Sequence, residues 1–331
     1  MKIVVTGAAG FLGQRLIAAL LDRGEMTTAD GVLSAITQIV AFDRIAPQHC
    51  VDPRVLPKIG DIAEAAAIAD LIDSDTDSVF HLAAIVSGEA ERDFDLGMRI
   101  NLDATRAIME RMRNATPGAK LVMTSSVAVF GGQMPATVPD DLVWRPQSSY
   151  GTQKAINDLL LADYSRRGYL DGRSLRMPTI VVRPGKPNAA ASSFASGIIR
   201  EPLAGIEARC PVDLATLLWL MSPDQAVRNL LHGHELPAEA LGRDRVINMP
   251  GLSVTVSEML QALRQVGGAT AAEKVTVDRD PAIEAIVNSW PGNFDATQAR
   301  GLGFTADPDF PSIVAAFMRE TGRMPTVTGA R

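Results

Sequence analysis

The stretch that most constrains the fold is KIVVTGAAGFLGQRLIAALLDRG, which begins at Lys2. It opens with a β-branched run, continues through glycines and ends with Leu12, Leu16 and Leu20 at helical spacing. This order predicts a strand, a tight turn and a helix. The turn therefore joins the end of a strand directly to the start of a helix.

The same alternation continues along the chain. The stretches ITQIVAFD, RVLPKIGDIA, SVFHLAAIVS and AKLVMTSSVAVFGG are predicted to be strands, and NLDATRAIMERMR is predicted to be a helix. Strands that alternate with helices are typical of an α/β fold with a doubly wound parallel sheet. Such sheets bind ligands at the carboxyl ends of their strands, where Asp61, Ala83 and Ser125 are expected.

Three glycines in the first turn have a spacing that suits a nucleotide. Gly7, Gly10 and Gly13 form the pattern G-x-x-G-x-x-G. Glycines there permit the tight turn, the close approach of a pyrophosphate and the packing of the helix on the strand. Backbone N–H groups at the start of a helix favour negative charge. The sequence therefore predicts a dinucleotide site at this turn.

An acidic residue indicates which dinucleotide binds. Asp43 ends the run ITQIVAFD, where a carboxylate can accept hydrogen bonds from the adenine-ribose hydroxyls and repel a 2′-phosphate. This favours NAD over NADP, although the neighbouring Arg44 can pair with such a phosphate. The alternative is that Asp43 only caps a turn. The stretch GEMTTADGVLSAI lies between the helix and this strand and lengthens the spacing from the glycines.

Composition excludes several classes of partner. The chain has 331 residues and a net charge of -6, with its basic residues scattered, which argues against nucleic acid and anionic membranes. Cys50 and Cys210 lie far apart, and the four histidines show no metal-ligand spacing. The run LATLLWLM is too short to span a bilayer. We therefore expect a cytoplasmic protein with reduced cysteines and no metal.

One pair of side chains suggests oxidoreductase chemistry. Tyr150 and Lys154 are spaced to lie side by side on one face of a helix. An unperturbed tyrosine has a pKa of about 10, and a nearby ammonium lowers it, so that the phenolate can take the proton of an alcohol. Ser126, at the end of a predicted strand, can hold the substrate oxygen. Such a pair also occurs by chance in ordinary helices.

Together these motifs resemble the extended branch of the short-chain dehydrogenase/reductase superfamily, the NAD-dependent epimerases and dehydratases. The matching segments are TGAAGFLG, GDI, HLAA, NLDAT, SSVAVFG, YGTQK, RPG and FDATQARGLGFTADPDFPSIVAAF. The resemblance implies a Rossmann-like NAD-binding domain with Ser126, Tyr150 and Lys154 as the catalytic group. It also implies that Lys154 holds the nicotinamide ribose. The implied NAD-binding residues are Gly7, Gly10, Phe11, Leu12, Gly13, Asp43, Asp61, Ile62, Ala83, Ala84, Asn101, Ser125, Tyr150, Lys154 and Pro184.

Departures from the family pattern narrow the chemistry. Sugar dehydratases of this branch carry an acid pair where this chain has Val127 and Ala128, so dehydration is not expected. The region after the sixth strand is compact, which favours a small substrate without a nucleotide over a nucleotide sugar. An epimerase and a non-catalytic NAD-binding protein remain the alternatives to a dehydrogenase.

The stretch RPGKPNAAASSFASGIIREPL resembles the D-erythronate dehydrogenases, a group that oxidises a four-carbon sugar acid at C2. By that resemblance the substrate is D-erythronate, with L-threonate as a near variant. A small carboxylate needs cationic or hydroxyl partners. The predicted substrate-binding residues are Ser87, Ser126, Tyr150, Lys186, Ser192, Ser193 and Arg200. Lys186, Ser192, Ser193, Arg200 and Ser87 can each equally be a solvated loop residue or a helix cap.

Two structural units are expected. Residues 1–183 form the NAD-binding domain, and residues 222–253 return to it with a helix and a strand. Residues 184–221 and 254–331 form a smaller, C-terminal substrate-binding domain, with the active site in the cleft between the two. The apolar face of AINDLLLADYSRRG can form a homodimer or be buried within the monomer.

Overall fold

The computed structural model of the protein describes residues 1–47, 51–185 and 191–324. Residues Met98–Asp103 form a π-helical segment, and residues Val127–Val129 form a single 3₁₀ turn. The strands in these ranges are β1 Lys2–Thr6, β2 Glu25–Thr27, β3 Leu33–Ala35, β4 Gln38–Asp43, β5 Val55–Ile59, β6 Thr76–His81, β7 Lys120–Ser126, β8 Asp171–Met177, β9 Thr179–Ile180, β10 Ala208–Cys210, β11 Leu217–Met221, β12 Val246–Asn248, β13 Leu252–Thr255 and β14 Val275–Val277. The helices are α1 Phe11–Arg23, α2 Ala65–Leu71, α3 Ser87–Arg92, α4 Phe94–Gly97, α5 Ala104–Ala115, α6 Ser149–Arg166, α7 Ser193–Leu203, α8 Pro223–Glu235, α9 Ala238–Leu241, α10 Val256–Gly267, α11 Ala269–Ala272, α12 Pro281–Val287, α13 Thr297–Gly301 and α14 Phe310–Glu320.

The main sheet has seven strands in the order β12-β8-β7-β6-β1-β4-β5, and every neighbouring pair is parallel. Strand β4 pairs with β1, and β5 pairs with β4 at the edge of the sheet. The chain then crosses back, and β6 pairs with the other side of β1. The order of strands therefore reverses between β1 and β6. In open parallel sheets, ligands bind outside the carboxyl ends of the strands at such a reversal. The predicted doubly wound α/β fold is confirmed.

Alternating side chains of β1 show how the sheet is covered on both faces. Ile3 and Val5 are buried with residues of α1 and α8, whereas Val4 is buried with residues of α5 and α6. Buried aliphatic side chains of this kind each contribute about 1.5–3 kcal/mol relative to exposure. The long apolar strands of the sequence are therefore buried on both sides, as parallel strands require.

The insertion before β4 forms an antiparallel hairpin, which the sequence did not predict as strands. Strands β2 and β3 pair with Met26 opposite Ser34, and the Met26 side chain is fully buried in the main core. The backbone N–H of Ile36 donates to the carbonyl of Gly24 over 2.8 Å. The hairpin thus leaves the sheet and returns to it, so β4 still pairs with β1 despite the long spacing.

A second apolar core lies outside the main sheet. It is built from one face each of α7, α10 and α14 and includes Ile198, Leu263 and Phe317. Helix α10 begins with a capping box between Thr255 and Glu258. Strand β12 pairs with β8 of the main sheet, and α8 packs on that sheet with α1. The division of the chain into an NAD-binding and a substrate-binding domain stays a prediction.

The most apolar stretch of the sequence lies in this second part. Its last five residues form β11, which pairs with β9 in parallel and with β13 in antiparallel orientation. Of the helices within residues 1–47, 51–185 and 191–324, none has the length and apolar character needed to cross a membrane.

Candidate active site

The glycine turn between β1 and α1 is packed so tightly that side chains would not fit. Gly7 has a φ of +73°, and a Cβ there would lie 2.7 Å from the backbone nitrogen of Ala83. A Cβ on Gly13 would lie 2.2 Å from the carbonyl oxygen of Gly7. Gly10 precedes the first turn of α1, which contains no acidic residue. The turn therefore offers backbone N–H groups to an anion at a helix start, which fits a pyrophosphate.

Asp43 braces this turn from the end of β4. Its Oδ2 accepts a hydrogen bond from the backbone N–H of Ala9 at 2.9 Å, and its Oδ1 accepts from the N–H of Arg44 at 2.7 Å. Both Asp43 and Arg44 line the cleft. The carboxylate therefore has a structural partner, and it also stands where an adenine ribose is expected in this fold.

Most of the predicted NAD-binding residues line one cleft, but Asp61, Asn101 and Pro184 are not among its lining residues. Asp61 caps the turn before α2, where its Oδ1 accepts from the N–H of Ala63 at 3.0 Å. Asn101 is buried, and its Nδ2 donates to Gln153 Oε1 at 2.9 Å. The predicted residues that do line the cleft are Gly7, Gly10, Phe11, Leu12, Gly13, Asp43, Ile62, Ala83, Ala84, Ser125, Tyr150 and Lys154.

Tyr150 and Lys154 occupy the first two turns of α6. The Ser148 hydroxyl caps this helix by accepting from the N–H of Gly151 at 3.1 Å. A Cβ on Gly151 would lie 2.2 Å from the carbonyl oxygen of Ala128, so the helix start packs directly on the turn that follows β7. Because Ser126 ends β7, this packing fixes the position of Tyr150 relative to the serine.

The three predicted catalytic side chains line the same part of the cleft. Lys154 Nζ donates to the carbonyl of Thr124 at 2.8 Å and lies 5.6 Å from the centre of the Tyr150 ring. The Ser126 hydroxyl accepts from the N–H of Ala128 at 3.1 Å. The structure thus brings Ser126, Tyr150 and Lys154 together at the carboxyl edge of the sheet.

The electrostatics of this group differ from the sequence-based expectation. Desolvation raises the pKa of Tyr150 to about 12, while the positive charge of Arg183 and a hydrogen bond with Ser126 act in the opposite direction. Desolvation lowers the pKa of Lys154 to about 8, opposed by the charge of Asp158. The sequence predicts that the charge of Lys154 lowers the pKa of Tyr150. In the structure the opposing positive charge is that of Arg183, and desolvation outweighs it.

A buried ion pair supports the strand end below these residues. Asp158 Oδ2 accepts from Arg176 Nε at 2.8 Å and from the Ser125 hydroxyl at 3.1 Å, and Oδ1 accepts from the Ser174 hydroxyl at 2.5 Å. The Arg176 guanidinium lies 3.8 Å from the centre of the Trp144 ring. These bonds join α6 to β7 and β8, so the catalytic helix is held on the strands that carry the serines.

The predicted substrate-binding residues divide into three groups. Ser87, Ser192 and Ser193 line the cleft together with Ser126 and Tyr150. Arg200 is buried behind the wall, where it forms an ion pair with Glu201 and donates to the carbonyl of Arg183 at 2.8 Å. Lys186 lies outside the described residues.

Arg183 is a cleft residue that the sequence analysis missed. Its Nε donates to the carbonyl of Ile180 at 3.0 Å, and its Nη2 donates to the Ser192 hydroxyl at 2.7 Å. The motif RPG contains this arginine, but the likeness of that motif to the family pattern assigns no role to its side chain. Nothing in the local sequence shows that its side chain, and not that of Arg200, reaches the cleft.

The cleft runs from the glycine turn to α12 and Trp290 and has a volume of about 1460 Å³. Pockets for a single small molecule typically measure about 300–1,000 Å³, so this cleft has room for a dinucleotide and a second ligand. Among the described residues, no group of three or more His, Cys, Asp or Glu side chains is arranged to hold a metal.

Comparison with known proteins identifies the family. The model of the NAD dependent epimerase/dehydratase family matches residues 3–232, which is more than half of the chain. The chain belongs to this family. Its cofactor is NAD, as the resemblance implied.

Two relatives with high identity are named D-erythronate dehydrogenase, and on this evidence the chain is an NAD-dependent oxidoreductase that acts on a CH–OH group. The protein of Cupriavidus necator is 54% identical, covering 97% of this chain and 99% of the relative. The protein of Haemophilus influenzae is 46% identical, covering 96% and 99%. The structure is also similar to that of a nucleoside-diphosphate-sugar epimerase from Agrobacterium tumefaciens, with 42% identity, a TM-score of 0.90 and coverage of 97% and 95%.

Proposed function

We propose that this protein oxidises D-erythronate at C2 to 2-oxo-erythronate and reduces NAD to NADH. The observation that carries the proposal is the 54% identity to a D-erythronate dehydrogenase over nearly the whole of both chains. The grouping of Ser126, Tyr150 and Lys154 on one wall of the cleft supports it. An alcohol dehydrogenase needs a proton acceptor and an oxygen-binding group at the hydroxyl that is oxidised.

In this proposal Tyr150 takes the proton of the C2 hydroxyl and Ser126 holds its oxygen. NAD, when bound, supplies the acceptor for the hydride that leaves C2. Together the two transfers remove one proton and one hydride, which converts the alcohol to the ketone. The pKa of Tyr150 is about 12 even with the positive charge of Arg183 nearby, because desolvation outweighs that charge, so a further favourable interaction is required for the phenolate to form near neutral pH.

Residues along the cleft, from the glycine turn to Lys154 of the catalytic group, would hold the dinucleotide. The turn of Gly7, Gly10 and Gly13 would hold the pyrophosphate, and Asp43 would bind the adenine ribose. Lys154 has a pKa of about 8 and is therefore mainly protonated at neutral pH. Its ammonium would hold the nicotinamide ribose while it stays bonded to the carbonyl of Thr124.

An epimerase is the second candidate, because the solved structure from Agrobacterium tumefaciens, 42% identical, is described as a nucleoside-diphosphate-sugar epimerase. An epimerase returns the hydride to its substrate, so it forms no net NADH. The two candidates therefore differ in a measurable product.

The test is to follow NADH absorbance while purified protein is given NAD with D-erythronate, L-threonate and a series of aldonic acids. We expect NADH with D-erythronate. Absence of NADH with all acids, from protein shown to bind NAD, would contradict the proposal. Conversion of a nucleotide sugar to its epimer without NADH would establish the second candidate.

Assembly and location also belong to the proposal. We propose a homodimer formed through α6 and its neighbour α5, because Leu159 of α6 is 60% exposed although it is apolar. We also propose that the protein is cytoplasmic, where NAD is available and cysteines stay reduced. Analytical ultracentrifugation would test the first statement, and Leu159→Glu is expected to give monomers.

A further inference from the structure

A sugar acid that reacts at C2 places strict demands on the cleft. Its carboxyl carbon is bonded directly to the reacting carbon, so the group that binds the carboxylate must stand next to Tyr150 and Ser126. Four cationic side chains line the described cleft wall: Arg44, Lys154, Arg183 and Arg209. The question is which of them is available to the carboxylate.

Two of these four cations have side-chain partners elsewhere, and a third lies at the other end of the cleft. Arg44 adjoins Asp43, at the end of the cleft assigned to the adenine ribose. Lys154 donates to the carbonyl of Thr124, and Arg209 pairs with Asp278 at 2.8 Å on the exposed edge of β10. No acidic side chain among the described residues forms an ion pair with Arg183. Arg183 lines the cleft together with Tyr150, and its positive charge acts on the Tyr150 hydroxyl.

Arg183 is also held in place before any ligand binds. Besides the bonds from Nε to Ile180 and from Nη2 to Ser192, its backbone N–H donates to the Ser196 hydroxyl at 3.0 Å. Its carbonyl accepts from Arg200 Nη1 at 2.8 Å. A side chain oriented in this way loses little entropy when it forms a further hydrogen bond.

Arg183 is half-buried and has no counter-ion among the described residues, and desolvation lowers its pKa. Four acids line the described cleft wall, but none forms an ion pair with Arg183. Asp43 lies at the glycine turn, and Glu91 accepts a hydrogen bond from the backbone at the start of α6. Glu201 Oε1 is bound to Arg200 Nη2 at 2.5 Å, and Glu207 is exposed to solvent. A substrate carboxylate would supply the missing negative charge.

We propose that Arg183 binds the substrate carboxylate and makes the cleft selective for sugar acids over neutral alcohols. This inference rests on the proposed dehydrogenase function and names the residue that determines its substrate class. Ser192 is a positioning residue that orients the guanidinium through its hydroxyl. Arg200, the arginine expected to bind substrate, acts from behind through the Arg183 backbone.

The test compares D-erythronate with D-erythronamide, which has the same hydroxyls but no charge. For the wild type, Arg183→Gln, Arg183→Lys and the control Arg264→Gln, the ratio of kcat/KM for acid over amide is measured. Arg264 is an exposed arginine of α10 outside the cleft. We expect Arg183→Gln to lower the ratio roughly 10- to 100-fold, the usual value of a hydrogen bond to a charged group, with Arg183→Lys intermediate. Arg264→Gln should leave the ratio unchanged.

A ratio that stays within about threefold of wild type in Arg183→Gln would overturn the inference, because the loss of a merely structural role lowers kcat/KM equally for the acid and the amide. Loss of NAD affinity in both Arg183 variants would overturn it as well. If the amide turns over too slowly, the KM for D-erythronate replaces the ratio. It should rise by the same factor, and a fall in kcat alone would contradict the inference. A wild type that oxidises no sugar acid would instead contradict the proposed function itself.

Discussion

The two ends of the cleft are built in different ways. At the NAD end, β1, the glycine turn and the start of α1 come from one continuous stretch, residues 2–13. At the substrate end, Tyr150 comes from α6, Ser126 from β7 and Arg183 from the segment after β9. A site made by one local motif can be recognised from sequence, whereas a site assembled from distant segments depends on side-chain directions that only the folded chain defines.

The largest effect is expected at the centre of the substrate end. Tyr150→Phe should lower kcat roughly 100- to 10,000-fold, because it removes proton transfer while keeping the ring. The Kd for NAD should stay nearly the same. Steady-state kinetics and fluorescence titration measure the two quantities, with Tyr169→Phe as the control at a surface tyrosine. A variant that keeps a rate near that of the wild type would refute the role of Tyr150.

The next effect tests the NAD end. Gly13→Ala would place a Cβ 2.2 Å from the Gly7 carbonyl oxygen, so the turn must distort. We expect the free energy of unfolding to fall by about 1–3 kcal/mol and the Kd for NAD to rise. Gly301→Ala is the matched control, since a Cβ there meets no atom within 4 Å. Urea unfolding that gives equal stabilities for the two variants would show that the turn tolerates a side chain.

A smaller change should distinguish the two roles of Asp43. Asp43→Asn keeps an oxygen that can accept from Ala9 but removes the charge. The Kd for NAD should rise, and the preference for NAD over NADP should fall roughly 10-fold, the value of about 1.4 kcal/mol. Titration with both cofactors measures this preference. An equal rise in Kd for NAD and for NADP would indicate that Asp43 only stabilises the glycine turn.

The smallest effect concerns Lys154. Its pKa is about 8 in the folded protein and about 10.4 in an unfolded chain, so the unfolded state binds more protons between these values. Stability should therefore rise with pH in this window, by about 1–2 kcal/mol between pH 8 and pH 10. Urea unfolding of the wild type should show this rise relative to Lys154→Met. A parallel pH dependence in the two proteins would mean that Lys154 is not the group responsible.

The sequence predicted the fold well because its signals were local. The glycine spacing, the alternating apolar strands and the capped helices all depend on neighbours within one turn or strand. The hairpin β2–β3 was missed because its strands have only three residues each, too few to show an alternating pattern.

Site prediction was weaker where several elements meet. Asn101 does not line the cleft itself, and its amide bonds the backbone of Ile85, which does, and the Gln153 side chain, so its role as a cofactor-binding residue stays a prediction. Arg200 and Arg183 could not be ranked from sequence, because their positions follow from how α7 packs beside the segment after β9. In the structure, Arg200 is buried behind the cleft wall, whereas Arg183 lines the cleft.

The central claim is that hydride leaves C2 of D-erythronate and reduces NAD. The most direct measurement gives the wild type NAD and D-erythronate that carries deuterium at C2, and analyses the products by mass spectrometry. The account predicts NADH that contains the deuterium, together with unlabelled 2-oxo-erythronate. Unlabelled NADH would contradict oxidation at C2, and deuterium found only in a C2 epimer of the substrate would show an epimerase.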